Sequence, residues 1–197
     1  MAATLEIHLE DWYHALTDPC TWNTHQWRLN DTMPWVLDTL RRQQVTATFY
    51  VVGWLADHGG NLLRDIAVAG HRFGSHGYYH RHGEQRGDGG DFSCRVALHR
   101  TSARWGVEMN TNTLPYRSPF WDSTPRPGYG GGVFFRALPY AIVKREVERT
   151  GICYLHPHDL DPGHPHAPFV PWRRYVGLAT ARAKLERLLQ EVDFERR

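Results

Sequence analysis

The sequence predicts an α/β protein with parallel strands and outer helices. Short alternating or β-branched apolar runs recur along the chain, and helical patterns stand between them. No internal repeat or linker divides the 197 residues, which suffice for one substantial core, so residues 1–197 are expected to form a single domain.

Each element has its own signal. Residues 4–10 alternate as in a strand, with Leu5, Ile7 and Leu9 on one face and Glu6, His8 and Glu10 on the other. Residues 33–42 carry helical spacing at Trp35, Val36, Leu37 and Leu40 behind an Asn30-Asp31-Thr32 cap. Residues 46–52 form a β-branched, aromatic run suited to a buried strand. Residues 61–69 read as a helix stopped by Gly70. Residues 71–75 read as a short strand leading into a helical turn that holds His76 and His80 on one face. A flexible loop at 87–90 precedes a helix over 91–105. Residues 114–117 end a strand, and the Pro/Gly-rich run 125–132 is loop. A helix covers 137–149, with Pro139 tolerated in its first turn. Residues 152–155 are a strand, 159–171 are irregular, and 179–192 form a last amphipathic helix.

Composition narrows the function. A net charge of +2 with balanced acids and bases argues against nucleic acid or an anionic membrane as the main partner. No run approaches the ~20 apolar residues of a membrane span. Cys20, Cys94 and Cys153 are scattered, odd in number and without CxxC spacing, which reads as reduced thiols in a cytoplasm. The start of the chain runs straight into a strand and shows no signal-peptide pattern. Nothing sets the oligomeric state.

The chemistry gathers at expected strand ends, where parallel β/α architectures place functional groups. Glu10-Asp11, His76, Arg117 and His156 all fall at such positions. The His76-x-x-x-His80 pair with a carboxylate from another strand describes a metal site. His82, His99, His164 and His166 read as surface residues. Gly130-Gly131-Gly132 lacks the Lys-Ser/Thr of a phosphate loop and reads as a flexible connection.

Longer strings carry a resemblance. Glu10-Asp11-Trp12-Tyr13-His14, VTATFYVVGW over 45–54, AVAGHRFGSHGYYH over 67–80, YRSP over 116–119, GGGVFFRALPY over 130–140 and YLHPHDLD over 154–161 occur in that order. Together they resemble the NodB-homology polysaccharide deacetylases, most of all the exosortase-associated exopolysaccharide type. The resemblance implies a distorted (β/α) barrel and a metal-dependent hydrolase that removes an N-acetyl group from an amino sugar. It implies Asp11, His76 and His80 as ligands of a divalent metal, Zn2+ first, with Co2+, Ni2+ or Fe2+ also compatible with such donors. The metal would polarise the amide carbonyl and activate water. Glu10 would be the base, Arg117 would hold that base ionised, and His156 would protonate the leaving amine. A backbone N–H near Tyr79 would help at the oxyanion. Trp12, Tyr13, Tyr79 and Trp121 are candidates for the substrate wall.

Two departures keep alternatives in play. Many relatives carry aspartate where this chain has His8, which shares a strand face with Glu10. A second assignment therefore makes Glu10 the ligand and His8 the base. Relatives also have a further strand–helix unit where only residues 120–129 join the motifs here, which leaves room for an incomplete barrel with an open groove or a partner closing the gap. A C–N hydrolase acting on a non-sugar amide and a degenerate, non-catalytic carbohydrate-binding homologue are the competing functions.

Overall fold

The computed structural model describes residues 2–80, 89–105 and 131–196. Four parallel strands make one sheet: β1 (Thr4–Leu9), β2 (Ala47–Val51), β3 (Arg72–Ser75) and β4 (Ile152–Leu155), in the order β3-β2-β1-β4. Ile7 pairs with Phe49 on one side and with Leu155 on the other. The sheet is open among the described residues. Its strand-to-helix alternation follows from parallel pairing, since each strand must be carried back to the same edge before the next can join.

The helices are α1 (Leu29–Gln43), α2 (Gly53–His58), α3 (Leu62–Val68), α4 (Gly89–Trp105), α5 (Gly132–Ala137), α6 (Tyr140–Thr150) and α7 (Leu178–Glu191). Among the described residues, 3-10 turns stand at Pro19–Thr24, Pro157–Leu160 and Trp172–Arg174. The apolar faces meet in one core. Leu5, Ile7 and Leu9 of β1 are buried in it, with Val36 and Leu40 of α1 and Leu185, Leu188 and Leu189 of α7. No described helix is long and apolar enough to cross a membrane.

Several boundaries differ from the sequence reading. Helix α1 begins four residues before the expected start at 33, because its first N–H groups are capped by a distant side chain rather than by Asn30-Asp31-Thr32. The six-residue α2 was not expected. Pro139 does not lie in the first turn of one helix over 137–149. It is the N-cap of α6 and separates it from α5, which begins inside the stretch expected to be loop. Gly131 forms an isolated parallel bridge with Tyr154, and a Cβ there would collide with the Tyr154 carbonyl and ring. That close approach explains why glycine precedes α5. The strand end expected at 114–117 lies outside the described residues.

The C-terminal tail closes the edge of the sheet where the strands begin. Ala3 N–H donates to the Asp193 carbonyl at 2.7 Å, and Glu195 N–H donates to Ala3 at 3.0 Å. Thr46 N–H donates to Glu195 at 2.9 Å, while buried Phe194 packs into the core. The opposite edge, where the strands end, carries the polar cluster.

Candidate active site

Three strand ends bring the chemistry together. Glu10 follows β1, His76 follows β3 and His156 follows β4. One ligand atom from each of Glu10, His76 and His80 lies within 4.8 Å of the others, with Glu10 and His76 buried and His80 partly exposed. His80 Nε2 is 3.3 Å from Glu10 Oε2, and His156 Nε2 is 3.6 Å from Glu10 Oε1. The His8 ring lies 4.7 Å from that of His76 and 4.9 Å from that of His156. Burial holds His8 well below the usual imidazole range, aided by the nearby His156 and His80, so it is neutral at pH 7. Burial likewise lowers His76.

The two histidines meet by a different route from the expected helical turn. Residues 76–80 are not helical, and Gly77 and His80 have φ of 76° and 57°. This left-handed fold-back brings the two rings to 4.7 Å. Holding a histidine in that region costs about 1 kcal/mol.

Asp11 stands outside this group. Glu10 N–H donates to the His8 carbonyl at 2.9 Å, a tight three-residue turn at the end of β1. Beyond it the Asp11 carboxylate accepts from Trp12 N–H at 2.8 Å, Arg28 N–H at 2.7 Å and Leu29 N–H at 3.2 Å. Burial pushes Asp11 up to about 6 against the lowering effect of those three donors. Its carboxylate caps α1, and Glu10 is the carboxylate that lies close to His76 and His80. The neutral His14 ring accepts the Asp11 N–H at 2.8 Å.

His156 has its own support. Its backbone N–H and its Nδ1 both lie 3.0 Å from Asp159 Oδ2. The other Asp159 oxygen accepts from Arg136 Nε at 2.8 Å. Burial works to raise Asp159, but the His156 hydrogen bond and the adjacent Arg136 guanidinium hold it well below the usual carboxylate range. Asp159 is therefore an acceptor only, so His156 Nδ1 carries a proton and Nε2 faces Glu10. The buried Arg136 also donates to the carbonyls of Arg173, Arg174 and Val176, tying the turn over 172–174 to the site. His156, His158 and Asp159 form a second group close enough to hold an ion. Both Asp159 oxygens are already engaged there, and Arg136 and Arg174 bring two positive charges to it. The Glu10-His76-His80 set has no such guanidinium among the described residues and is the set whose donors fit a divalent metal.

Asp159 and Arg136 were not expected from the sequence. The available signal was the i, i+3 spacing of His156 and Asp159 around Pro157, which forms a capping box. Of the expected wall residues, Tyr79 is 37% exposed, but Trp12 is 4% and Tyr13 0% exposed, so neither faces a ligand. Arg117 and Trp121 lie outside the described residues.

Residues 18–93 match the polysaccharide deacetylase family model, and residues 115–197 match a domain of unknown function, DUF3473. The chain superimposes on a protein assigned as a polysaccharide deacetylase from Mycobacterium smegmatis, with TM-score 0.52, 16% identity, and coverage of 98% of this chain and 87% of that one. It also superimposes on an activity-restored mutant of a CE4 family pseudoenzyme from Bacillus anthracis, with TM-score 0.50, 13% identity, and coverage of 96% and 64%. No curated protein matches the sequence. The resemblance to polysaccharide deacetylases and the α/β class read from the sequence are thus borne out, the exosortase-associated type is not tested, and strands from both matched segments share one sheet.

Proposed function

We propose that this chain, a polysaccharide deacetylase by sequence resemblance and by fold, is a metal-dependent hydrolase that removes an acetyl group from an N-acetylated amino sugar or glycosylated small molecule. The observation that carries this is the convergence of Glu10, His76 and His80 within 4.8 Å, with His156 facing the second oxygen of Glu10.

Glu10, His76 and His80 would hold the divalent ion, Zn2+ first, with Co2+, Ni2+ or Fe2+ also suited to these donors. When bound, such an ion supplies Lewis acidity that polarises the acetyl carbonyl and activates water. The engagement of Asp11 with three backbone donors favours the assignment in which Glu10 is ligand and His8 is base. His8 lies buried beside the site, its ring 4.7 Å from that of His76 and 4.9 Å from that of His156, and is the group placed to take a proton from the attacking water. His156 then donates from Nε2 to the departing amine. Asp159 holds Nδ1 and orients the ring for that transfer. Arg117 and Trp121 keep the roles that the resemblance gives them, a cation supporting the site carboxylate and a wall residue. We take 1–197 as a single domain. The three free cysteines, two of them buried, suit a cytoplasmic setting.

Acetate release from a panel of N-acetyl sugars and non-sugar acetamides, before and after chelation, tests the proposal. Release from sugars that chelation abolishes and metal restores is expected. Release from non-sugar amides alone would replace the substrate class. Tight sugar binding without any release would favour a non-catalytic homologue, the reading to which His8, in place of the relatives' aspartate, lends support.

A further inference from the structure

A cleft of about 530 Å³ opens between the start of α1 and the turn that joins α2 to α3. Trp27, Leu29, Met33, Leu37 and Leu62 give it an apolar wall, and Asn30, His58, Asn61 and Asp65 add polar groups. Its size is that of a small-molecule site. None of Glu10, His76, His80 or His156 lines it.

Both sides of the cleft are held in place. The α2–α3 turn is pinned by Gly59 N–H, which donates to the Leu55 carbonyl at 2.6 Å, and by Leu62 N–H, which donates to Gly59 at 3.2 Å. His58 lies flat on Trp54, with centroids 4.1 Å and planes 10° apart. Its Nδ1 is 2.8 Å from the Trp54 carbonyl. A carbonyl only accepts, so Nδ1 carries the proton and the neutral ring offers Nε2 as an acceptor. On the α1 side, Leu29 N–H is fixed to the Asp11 carboxylate at 3.2 Å.

The charges select the ligand. Among the described residues no lysine or arginine lines the cleft, and the exposed Asp65 makes no ion pair. The guanidinium of Arg28, between Trp27 and Leu29, is committed to Asp161 at 2.8 Å and Asp31 at 2.6 Å. The start of α3 carries at most about half a positive charge, less than the full negative charge of a carboxylate in its first turn. At the start of α1, the Asp11 carboxylate already accepts from the N–H groups of Arg28 and Leu29.

We propose that this cleft binds a small organic ammonium ion, an apolar body of about ten heavy atoms bearing one protonated amine. The body packs against Trp27, Met33 and Leu37, and the ammonium faces Asp65 and His58. The Trp27 ring adds a cation–π attraction. Nothing in this site depends on the deacetylase chemistry.

Calorimetric titration of the whole chain with 2-phenylethylamine, 2-phenylethanol and 3-phenylpropionate tests it, because the three share a body and differ in charge. The amine should bind about 3- to 30-fold more tightly than the alcohol, the combined effect of one exposed ion pair and one cation–π contact, and the acid should bind most weakly. Asp65→Asn, at an exposed position, should bring the amine to the level of the alcohol and leave the alcohol unchanged. Leu37→Trp, which fills the cleft from a half-buried position, should abolish binding of the amine and the alcohol alike. Absence of amine binding, an amine no tighter than the alcohol, or an acid that binds best would each overturn the site. So would an amine preference that survives Asp65→Asn, or undiminished binding by Leu37→Trp, which would place the ligand elsewhere.

Discussion

Glu10 presents one carboxylate oxygen to each of two histidines from separate parts of the chain, Oε2 to His80 Nε2 at 3.3 Å and Oε1 to His156 Nε2 at 3.6 Å. The histidine pair at 76 and 80 lies in the segment matching polysaccharide deacetylases, and His156 lies in the segment matching DUF3473. Neither segment alone contains the whole site.

The His156 arm is tested by the leaving group. His156→Ala should lower turnover of an unactivated N-acetyl sugar by about 10²- to 10⁴-fold, the range of a lost general acid, and keep its metal. Hydrolysis of an activated acetyl ester, whose leaving group needs little protonation, should fall far less. Asp159→Asn should show the same substrate split in milder form, because an amide cannot hold the His156 ring as a carboxylate does. Equal losses on both substrates would assign His156 to binding.

Much of this was legible in the sequence, and the failures have physical causes. Alternation over residues 4–10 put His8 and Glu10 on one strand face; β1 ends at Leu9, short of Glu10, yet both residues lie beside His156. The spacing of His76 and His80 suggested a helix, yet the rings converge because Gly77 and His80 adopt left-handed backbone. Pattern alone could not separate Glu10 from Asp11. Their directions are set by a three-residue turn at the end of β1 and by the free N–H groups of α1, which reach Asp11 from residues 28 and 29. Glycine before α5 concealed that helix, since the need for it at Gly131 arises from the close approach to Tyr154. Asp159 and Arg136 are recognisable only once β4 and α5 are side by side.

Asp11→Ala should therefore act on stability. It leaves three buried or half-buried backbone N–H groups without their acceptor, a loss of about 1–3 kcal/mol. Urea denaturation should show a lower midpoint with an unchanged slope. An unchanged midpoint would contradict the capping role.

The C-terminal tail should be essential to the fold. Phe194 is buried between the starts of β1 and β2, and Glu195 also pairs with Arg72. Phe194→Ala should cost about 3–5 kcal/mol, as for other fully buried phenylalanines. Thermal melting would register it, and a melting temperature within a degree or two of the parent would contradict it.

Acid should destabilise the protein below neutrality. Burial lowers His14 from 6.5 to about 3 and drives His158 down, with Arg174 adding to the effect. Both folded values lie below the unfolded one. The unfolded chain therefore binds more protons as pH falls from about 6.5 toward 3, and stability present above 6.5 is lost across that window. Burial raises Asp11 to about 6 and Glu6 to about 7, which acts the other way. The lowered histidines, His8 and His76 as well as His14 and His158, outnumber these two carboxylates, so melting temperature should decline from pH 6.5 to 4.5. A flat profile over that lower range would show that these histidines are not held neutral.

The most direct test of the central claim is the metal content of two variants purified with added Zn2+, Glu10→Gln and Asp11→Asn. The parent should hold about one ion per chain. Glu10 as ligand predicts that Glu10→Gln loses most of its ion while remaining folded, and that Asp11→Asn keeps it despite lower stability. Retention of the ion by Glu10→Gln together with its loss from Asp11→Asn would contradict the account and return the ligand position to Asp11.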